Sequence, residues 1–84
     1  YDCVAVCVRG PHHQEVMRRV FGARPRLIFL EKPPTTSLDD QDELLKLTNE
    51  TGVPVMVSYS RHWAPTVLQM ESLVREGLIG RVQN

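Results

Sequence analysis

The strongest constraint on the fold is a regular alternation of short apolar runs with longer amphipathic segments. The runs are Val4–Val8, Leu27–Leu30 and Val53–Tyr59. Helical spacing of apolar residues fills the segments 12–22, 38–51 and 65–77. Uninterrupted apolar runs are typical of strands buried on both faces, and strands that alternate with helices pair in parallel through right-handed crossovers. The sequence therefore predicts an α/β fold, a partial Rossmann-like unit of three parallel strands alternating with three helices.

Residues with known positional preferences mark the ends of the helices. Ser37 is placed to cap the second helix and Gly52 to close it, while Pro65 opens the third where its missing N–H costs nothing. The apolar residues of the third helix should form its core face; they are Val67, Met70, Leu73, Val74 and Leu78. The last residues, 81–84, are expected to begin another strand.

Composition excludes two classes of partner. Ten basic residues balance ten acidic ones in a chain of 84 residues, so no net positive field exists to attract a nucleic acid. The longest apolar runs fall far short of the roughly 20 residues that a membrane-spanning helix needs. We therefore expect no nucleic-acid partner and no membrane segment.

The two cysteines, Cys3 and Cys7, are four residues apart on a predicted strand. That spacing puts them about 13 Å apart, too far for a disulfide. A metal site would need His12 or His13 to fold back beside them; the alternative is two small buried residues in a reducing compartment. We expect the second arrangement, with no metal and a cytoplasmic location.

Parallel sheets of this kind bind ligands beyond the carboxyl ends of their strands. The polar segments at those ends are Arg9–His13, Glu31–Thr36 and Ser58–Trp63. These three loops are expected to lie side by side along one rim of the sheet, and any chemistry should be located there.

Glu31-Lys32-Pro33 is the most distinctive of these rim segments. Lys32 could donate hydrogen bonds to a ribose or substrate hydroxyl, and partial burial would lower its pKa and let it relay a proton. Glu31 could accept a hydrogen bond from a ribose hydroxyl. The alternative is a solvated ion pair beside a loop proline, and the tripeptide alone leaves both readings open.

Several further motifs follow in order, and together they resemble one family. They are Leu30-Glu31-Lys32-Pro33, Gly52–Val57, Tyr59–Pro65 and Glu76–Val82, preceded by Asp2, Val4–Val8 and His13. This series is similar to the glucose–fructose oxidoreductase and inositol dehydrogenase (Gfo/Idh/MocA) family. The resemblance spans essentially the whole chain and implies the second half of an NAD(P)-binding Rossmann domain over residues 1–84. It also implies an NAD or NADP cofactor and hydride transfer to or from a sugar, polyol or related alcohol or carbonyl substrate.

The resemblance implies roles for individual residues. Lys32 would be catalytic and would contact the nicotinamide ribose, with Glu31 beside that ribose. Pro33 would follow a peptide bond that is often cis in the family. His13 would flank the nicotinamide, and Arg61 would lie near the cofactor or the mouth of the site. His62 and Trp63 could line that site, although a core position under the third helix is an equal alternative for Trp63.

The chain departs from the family pattern in ways that bear on function. It has no Gly-x-Gly-x-x-Gly turn for the pyrophosphate and no Asp-x-x-x-His pair to complete the acid–base site. The first loop, Arg9–His13, also differs from the usual family sequence before His13. We expect the isolated chain to be inactive and to bind cofactor weakly or not at all.

A second hypothesis is a non-catalytic interaction module that has kept the half-domain and lost the chemistry. Three parallel strands without the rest of the sheet leave apolar edges that a neighbour normally covers. This hypothesis predicts self-association, through that edge or by exchange of an element between two copies.

Overall fold

The structure, a computed structural model, describes residues 1–83 and contains one three-stranded parallel sheet. The strands are β1 (Cys3–Val6), β2 (Leu27–Glu31) and β3 (Val55–Ser58), in the spatial order β1-β2-β3. The helices are α1 (His13–Gly22), α2 (Leu38–Thr51) and α3 (Pro65–Arg75), with short 3-10 helices at Gly10–His12 and Ser60–Trp63. The predicted α/β alternation and the parallel pairing of the strands are confirmed.

One face of the sheet carries the hydrophobic core. Val6, Ile28 and Leu30 point to this face, and each is at most 3% exposed. They pack against Met17 and Phe21 of α1 and against residues of α2 that include Leu44. Burying a side chain of this size stabilises the fold by about 1.5–3 kcal/mol.

The predicted ends of α2 are confirmed by a local hydrogen bond at its start and a backbone angle at its end. The Asp40 N–H donates to the Ser37 hydroxyl at 3.1 Å, which caps α2. Gly52 ends α2 with a φ of 69°, a left-handed conformation that favours glycine. The third strand begins at Val55, later than the expected Val53, because Pro54 has no N–H to donate to a ladder.

An ion pair joins the middle of α1 to the middle of α2. Arg18 Nε and one terminal nitrogen donate to the two carboxylate oxygens of Glu43, both at 2.6 Å. The hydrogen bond from Arg18 lowers the pKa of Glu43 to about 2. The pair fixes the two covering helices relative to each other at the surface.

The second face of the sheet is uncovered, which corrects the expectation of strands buried on both faces. Cys3 and Cys7 are exposed free thiols rather than buried ones, and Met56 is 51% exposed. The physical reason is that α1 and α2 lie on the same side of the sheet, so no described helix packs on the other side.

The third helix also corrects an expectation. Of the five residues predicted to form its core face, only Leu73 is half-buried, and Met70 and Leu78 are 64% and 69% exposed. The main contact of α3 is the 3-10 helix just before it, and the chain extends over 50 × 28 × 23 Å. Residues 81–83 form no strand because they lie exposed beyond α3 rather than beside β3; Asn84 lies outside the described residues.

Candidate functional site

The carboxyl ends of β2 and β3 form an open cavity of about 680 Å³. Glu31 and Ser58 are register partners on the last rung between these strands, so Lys32 and Tyr59 leave the sheet side by side. The residues that line the cavity are Lys32, Ser58, Tyr59, Ser60, Arg61, His62 and Val67. The structure therefore brings Lys32 and Arg61, two of the predicted site residues, into one cavity at the expected rim.

The turn after β2 has a distinct backbone geometry. The Lys32–Pro33 peptide bond is cis, as the resemblance implied. The Lys32 side chain is exposed, so residues 1–83 do not by themselves give it the partial burial assumed from the sequence. Within these residues the solvated Lys32 side chain forms no ion pair with Glu31.

The loop after β1 packs directly on the turn that carries Lys32. A Cβ added at Gly10 would lie 3.3 Å from the Thr36 Cγ2 methyl and 3.5 Å from Pro33 Cδ. A side chain at position 10 would require the Thr36 methyl to move by a few tenths of an ångström, so glycine suits this close approach of the two loops. The predicted juxtaposition of the first two rim loops is confirmed by this contact.

His13 lies inside the protein rather than on the rim surface. It is 1% exposed, and its Nε2 donates to the Val8 carbonyl oxygen at 2.8 Å. Its other ring nitrogen, Nδ1, is buried with no partner among residues 1–83. The hydrogen bond ties the start of α1 to the end of the first strand region, so His13 holds the Gly10 loop in place.

The third rim loop places its aromatic and basic residues at the surface. Arg61 and His62 line the cavity, and Trp63 is 69% exposed, which rules out the core position considered for it. The rings of His62 and Trp63 meet edge to face with centroids 5.0 Å apart. His12, in the first loop, is exposed as expected for a residue at a helix start.

Sequence reasoning did not single out the hydroxyl groups of the cavity. Ser58, Tyr59 and Ser60 supply three of them. The signal was present in the sequence as a run of hydroxyl residues at the end of a predicted strand. Assigning these hydroxyl groups to the site required the strand register, which places Ser58 opposite Glu31 and so brings them beside Lys32.

The donors of the cavity fit the sugar-like portion of a dinucleotide better than a metal. Ammonium, guanidinium and hydroxyl groups donate to ribose and amide oxygens, whereas metal ions prefer electron-pair donors such as carboxylate, imidazole, thiolate and carbonyl groups. Among the side chains that line the cavity, His62 is the one imidazole and none is a carboxylate or a thiol. Within residues 1–83, no group of three or more histidine, cysteine or acidic residues could hold an ion. Across this part of the chain, no helix combines the length and the apolar character needed to cross a bilayer.

Comparison with known proteins agrees with this geometry. Residues 1–59 match the profile GFO_IDH_MocA, described as an oxidoreductase family with an NAD-binding Rossmann fold. The chain belongs to this family. The match spans the first two rim loops and ends at Tyr59, inside the cavity.

Relatives and solved structures extend the likeness over most of the chain. Inositol 2-dehydrogenase from Rhizobium meliloti is 27% identical over 82 residues, covering 98% of this chain and 24% of that protein. D-xylose dehydrogenase from Paenarthrobacter nicotinovorans is 33% identical over 55 residues, covering 66% of this chain and 14% of that protein. An oxidoreductase from Agrobacterium radiobacter, solved with NAD+, L-tartaric acid and magnesium, superposes with a TM-score of 0.78 at 18% identity, covering 96% of this chain and 23% of that one. The chain thus spans about a quarter of the length of full-length relatives such as the inositol dehydrogenase.

Proposed function

We propose that residues 1–84 are the second half of the cofactor domain of an NAD(P)-dependent oxidoreductase. The protein would transfer a hydride between the nicotinamide and an alcohol or carbonyl carbon of a sugar, polyol or related substrate. The missing parts would be the glycine-rich first half of the domain and a separate substrate domain. Membership of an NAD-binding oxidoreductase family supports this proposal.

The observation that carries the proposal is the shared cavity of Lys32 and Arg61 at the carboxyl ends of two parallel strands. Ligands of doubly wound sheets bind at this end. The cavity volume of about 680 Å³ also falls within the range of roughly 300–1,000 Å³ typical of small-molecule sites.

Lys32 is assigned the central role in the reaction. Its amino group would hydrogen-bond the substrate hydroxyl and hold the carbon that bears it at the cavity. In the oxidation direction Lys32 would relay the proton: its ammonium group would give one proton to a histidine from outside this chain and take the hydroxyl proton in its place while the C–H bond breaks. When bound, the nicotinamide supplies the acceptor for the hydride, so the alcohol loses two electrons and one proton remains on the protein side.

The other predicted residues would bind or shape the cofactor site. Glu31, half-buried at the end of β2, would accept a hydrogen bond from a ribose hydroxyl. Pro33 would fix the turn through its packing against the Gly10 loop. Arg61 would lie at the mouth of the site, and His13, being buried, would act on the cofactor through the loop that it holds.

The substrate class and the cofactor type are the finer parts of the proposal. The names of the inositol and xylose dehydrogenases support a polyol or sugar substrate. Either NAD or NADP is compatible with residues 1–84, since the segment at the end of the second strand of such domains selects between them and is not in this chain.

A cofactor titration of two proteins tests the proposal. NADH and NADPH are titrated calorimetrically into the isolated 84-residue chain and into a full-length protein that contains it. We expect binding only by the full-length protein, because the helix N-terminus that binds pyrophosphate would lie in the first half of the domain. Micromolar binding by the isolated chain would contradict the half-domain assignment. Failure of the full-length protein to bind either nucleotide would contradict the function.

Self-association and a cytoplasmic location complete the proposal. The uncovered sheet face, with Met56 at 51% exposure, and the unpaired edges of β1 and β3 support association of the isolated chain with a second copy. Two free thiols, Cys3 and Cys7, are compatible with a reducing compartment such as the cytoplasm.

A further inference from the structure

The charge of the main cavity is unbalanced, although the chain as a whole is neutral. Ten basic and ten acidic residues cancel over the sequence. Of the seven residues that line the cavity, Lys32 and Arg61 are cations, His62 is a third basic side chain, and none is a carboxylate. The side chains that line the cavity therefore carry a net positive charge, and Glu31, next to Lys32 in the sequence, is not among them.

Neither cation of the cavity is neutralised within the described chain. Several surface arginines have carboxylate partners, for example Arg18 with Glu43 and Arg75 with Glu71, whereas Arg9, Arg24 and Arg81 have none within residues 1–83. In residues 1–83, Lys32 and Arg61 take part in no salt bridge and no side-chain hydrogen bond. Their donors are therefore free to bind an anionic ligand.

We propose that the substrate of this site carries a carboxylate, as a sugar acid does, and that Arg61 binds this carboxylate. A planar guanidinium matches a carboxylate with two parallel N–H···O bonds, and such charge-assisted pairs are stronger than neutral hydrogen bonds. Ser58, Tyr59 and Ser60 supply hydroxyl groups for the remaining oxygens of a sugar. Lys32 is left to contact the reacting hydroxyl.

This inference rests on the proposed function and narrows its substrate class. A phosphate of the cofactor could supply the same negative charge. The substrate is the better assignment because Lys32, the residue assigned to the reacting hydroxyl, lies in the same cavity as Arg61. The pyrophosphate of a dinucleotide would bind at the glycine-rich turn, which these residues do not contain.

Matched substrate pairs test the proposal on the full-length protein. Oxidation of D-glucose and D-glucuronate, and of D-galactose and D-galacturonate, is followed by the appearance of reduced cofactor with NAD+ and with NADP+. We expect kcat/KM for each acid to exceed that of its neutral partner by about tenfold or more, the range of one charge-assisted hydrogen-bonded pair. Arg61→Gln should collapse this ratio, and Arg61→Lys should retain part of it because it keeps the charge and loses the planar fork.

Arg26→Gln is the matched control, because Arg26 lies at the other end of β2, where its backbone N–H donates to Tyr1 O. It should leave the acid-to-neutral ratio unchanged. If the neutral sugars were turned over as well as the acids or better, the proposal that the substrate carries a carboxylate would be wrong and the proposed function would stand. If Arg61→Gln changed only the KM of NADP+, Arg61 would be assigned to a phosphate of the cofactor. That result would also overturn the proposed carboxylate of the substrate. Absence of turnover with all four sugars would likewise overturn the proposed sugar-acid substrate. The titration with NADH and NADPH described above tests the proposed function independently.

Discussion

Glu31 and Ser58 pair across the last rung of the parallel ladder between β2 and β3. Because the two strands run in the same direction, the residues that follow them, Lys32 and Tyr59, leave the sheet at the same level. The register thus brings two sequence motifs, Glu31-Lys32-Pro33 and Ser58–Arg61, whose first residues are 27 positions apart, to one cavity.

The close packing of the first two rim loops predicts the effect of a side chain at Gly10. Gly10→Val should destabilise the chain by about 1–3 kcal/mol, because its Cβ would lie 3.3 Å from the Thr36 methyl. Urea unfolding measures the change. Thr36→Ser removes that methyl, so it should recover part of the loss in the double variant. Strictly additive effects of the two substitutions would show that the loops do not touch in solution.

The left-handed end of α2 predicts opposite outcomes for two glycines. Gly52→Ala should cost about 1 kcal/mol, because a φ of 69° is unfavourable for a residue with a Cβ. Gly22→Ala is the matched control: Gly22 is helical and has no atom within 4 Å of the added Cβ, so alanine there should be neutral or slightly stabilising. Thermal unfolding of both variants measures the difference, and equal shifts would contradict the assigned end of the helix.

The Arg18–Glu43 pair predicts an acid-dependent contribution to stability. The pKa of Glu43 is lowered from 4.5 to about 2 by its bond to Arg18, so the folded state favours the ionised carboxylate. The contribution is complete above about pH 4.5 and is lost as the pH falls towards 2. Wild type and Glu43→Gln should therefore differ in urea midpoint at pH 7 and converge near pH 2, with a smaller difference at high salt because the pair is exposed.

Glu50→Gln provides the comparison for that pair. Glu50 lies 3.8 Å from Lys46 in a looser pair on the surface of α2. At pH 7, Glu50→Gln should change the urea midpoint less than Glu43→Gln does. A pH-independent difference between wild type and Glu43→Gln would contradict the assigned pair.

The uncovered face of the sheet predicts association of the isolated chain. Light scattering should give a dimer or a larger species, and Met56→Lys should shift it towards the monomer by placing a charge on that face. Leu45→Lys is the control, since Leu45 is similarly exposed at 54% on α2, which covers the opposite face. A stable monomer at high concentration would remove the proposal of self-association.

Much of the fold and part of the site could be predicted because local sequence decides them. Ser37 and Gly52 set the ends of α2 through a hydrogen bond and a backbone angle that involve only their neighbours. The alternation of apolar runs with amphipathic segments was enough to predict parallel strands, and parallel strands were enough to place Lys32 and Arg61 on one rim. Each of these inferences depends on short-range geometry.

The errors concern burial, which depends on what lies across an interface. Cys3 and Cys7 were expected to be buried because their strand is apolar, yet no described helix covers their face. The apolar side of α3 was expected to pack on the sheet for the same reason. Hydrophobic spacing shows that a face can be buried and does not identify the partner that buries it. The inward position of His13 was missed because its partner is the backbone carbonyl of Val8, which no side-chain motif records.

The role of Lys32 is tested most directly by the turnover of the full-length protein with Lys32→Ala, measured beside its thermal unfolding midpoint. Lys46→Ala, at an exposed lysine of α2, is the control. Loss of a general acid–base should lower kcat about a hundredfold or more, while the unfolding midpoint stays within a degree or two because Lys32 is exposed and unpaired in residues 1–83. Turnover equal to that of the wild type would contradict the assignment of the cavity as the reacting site.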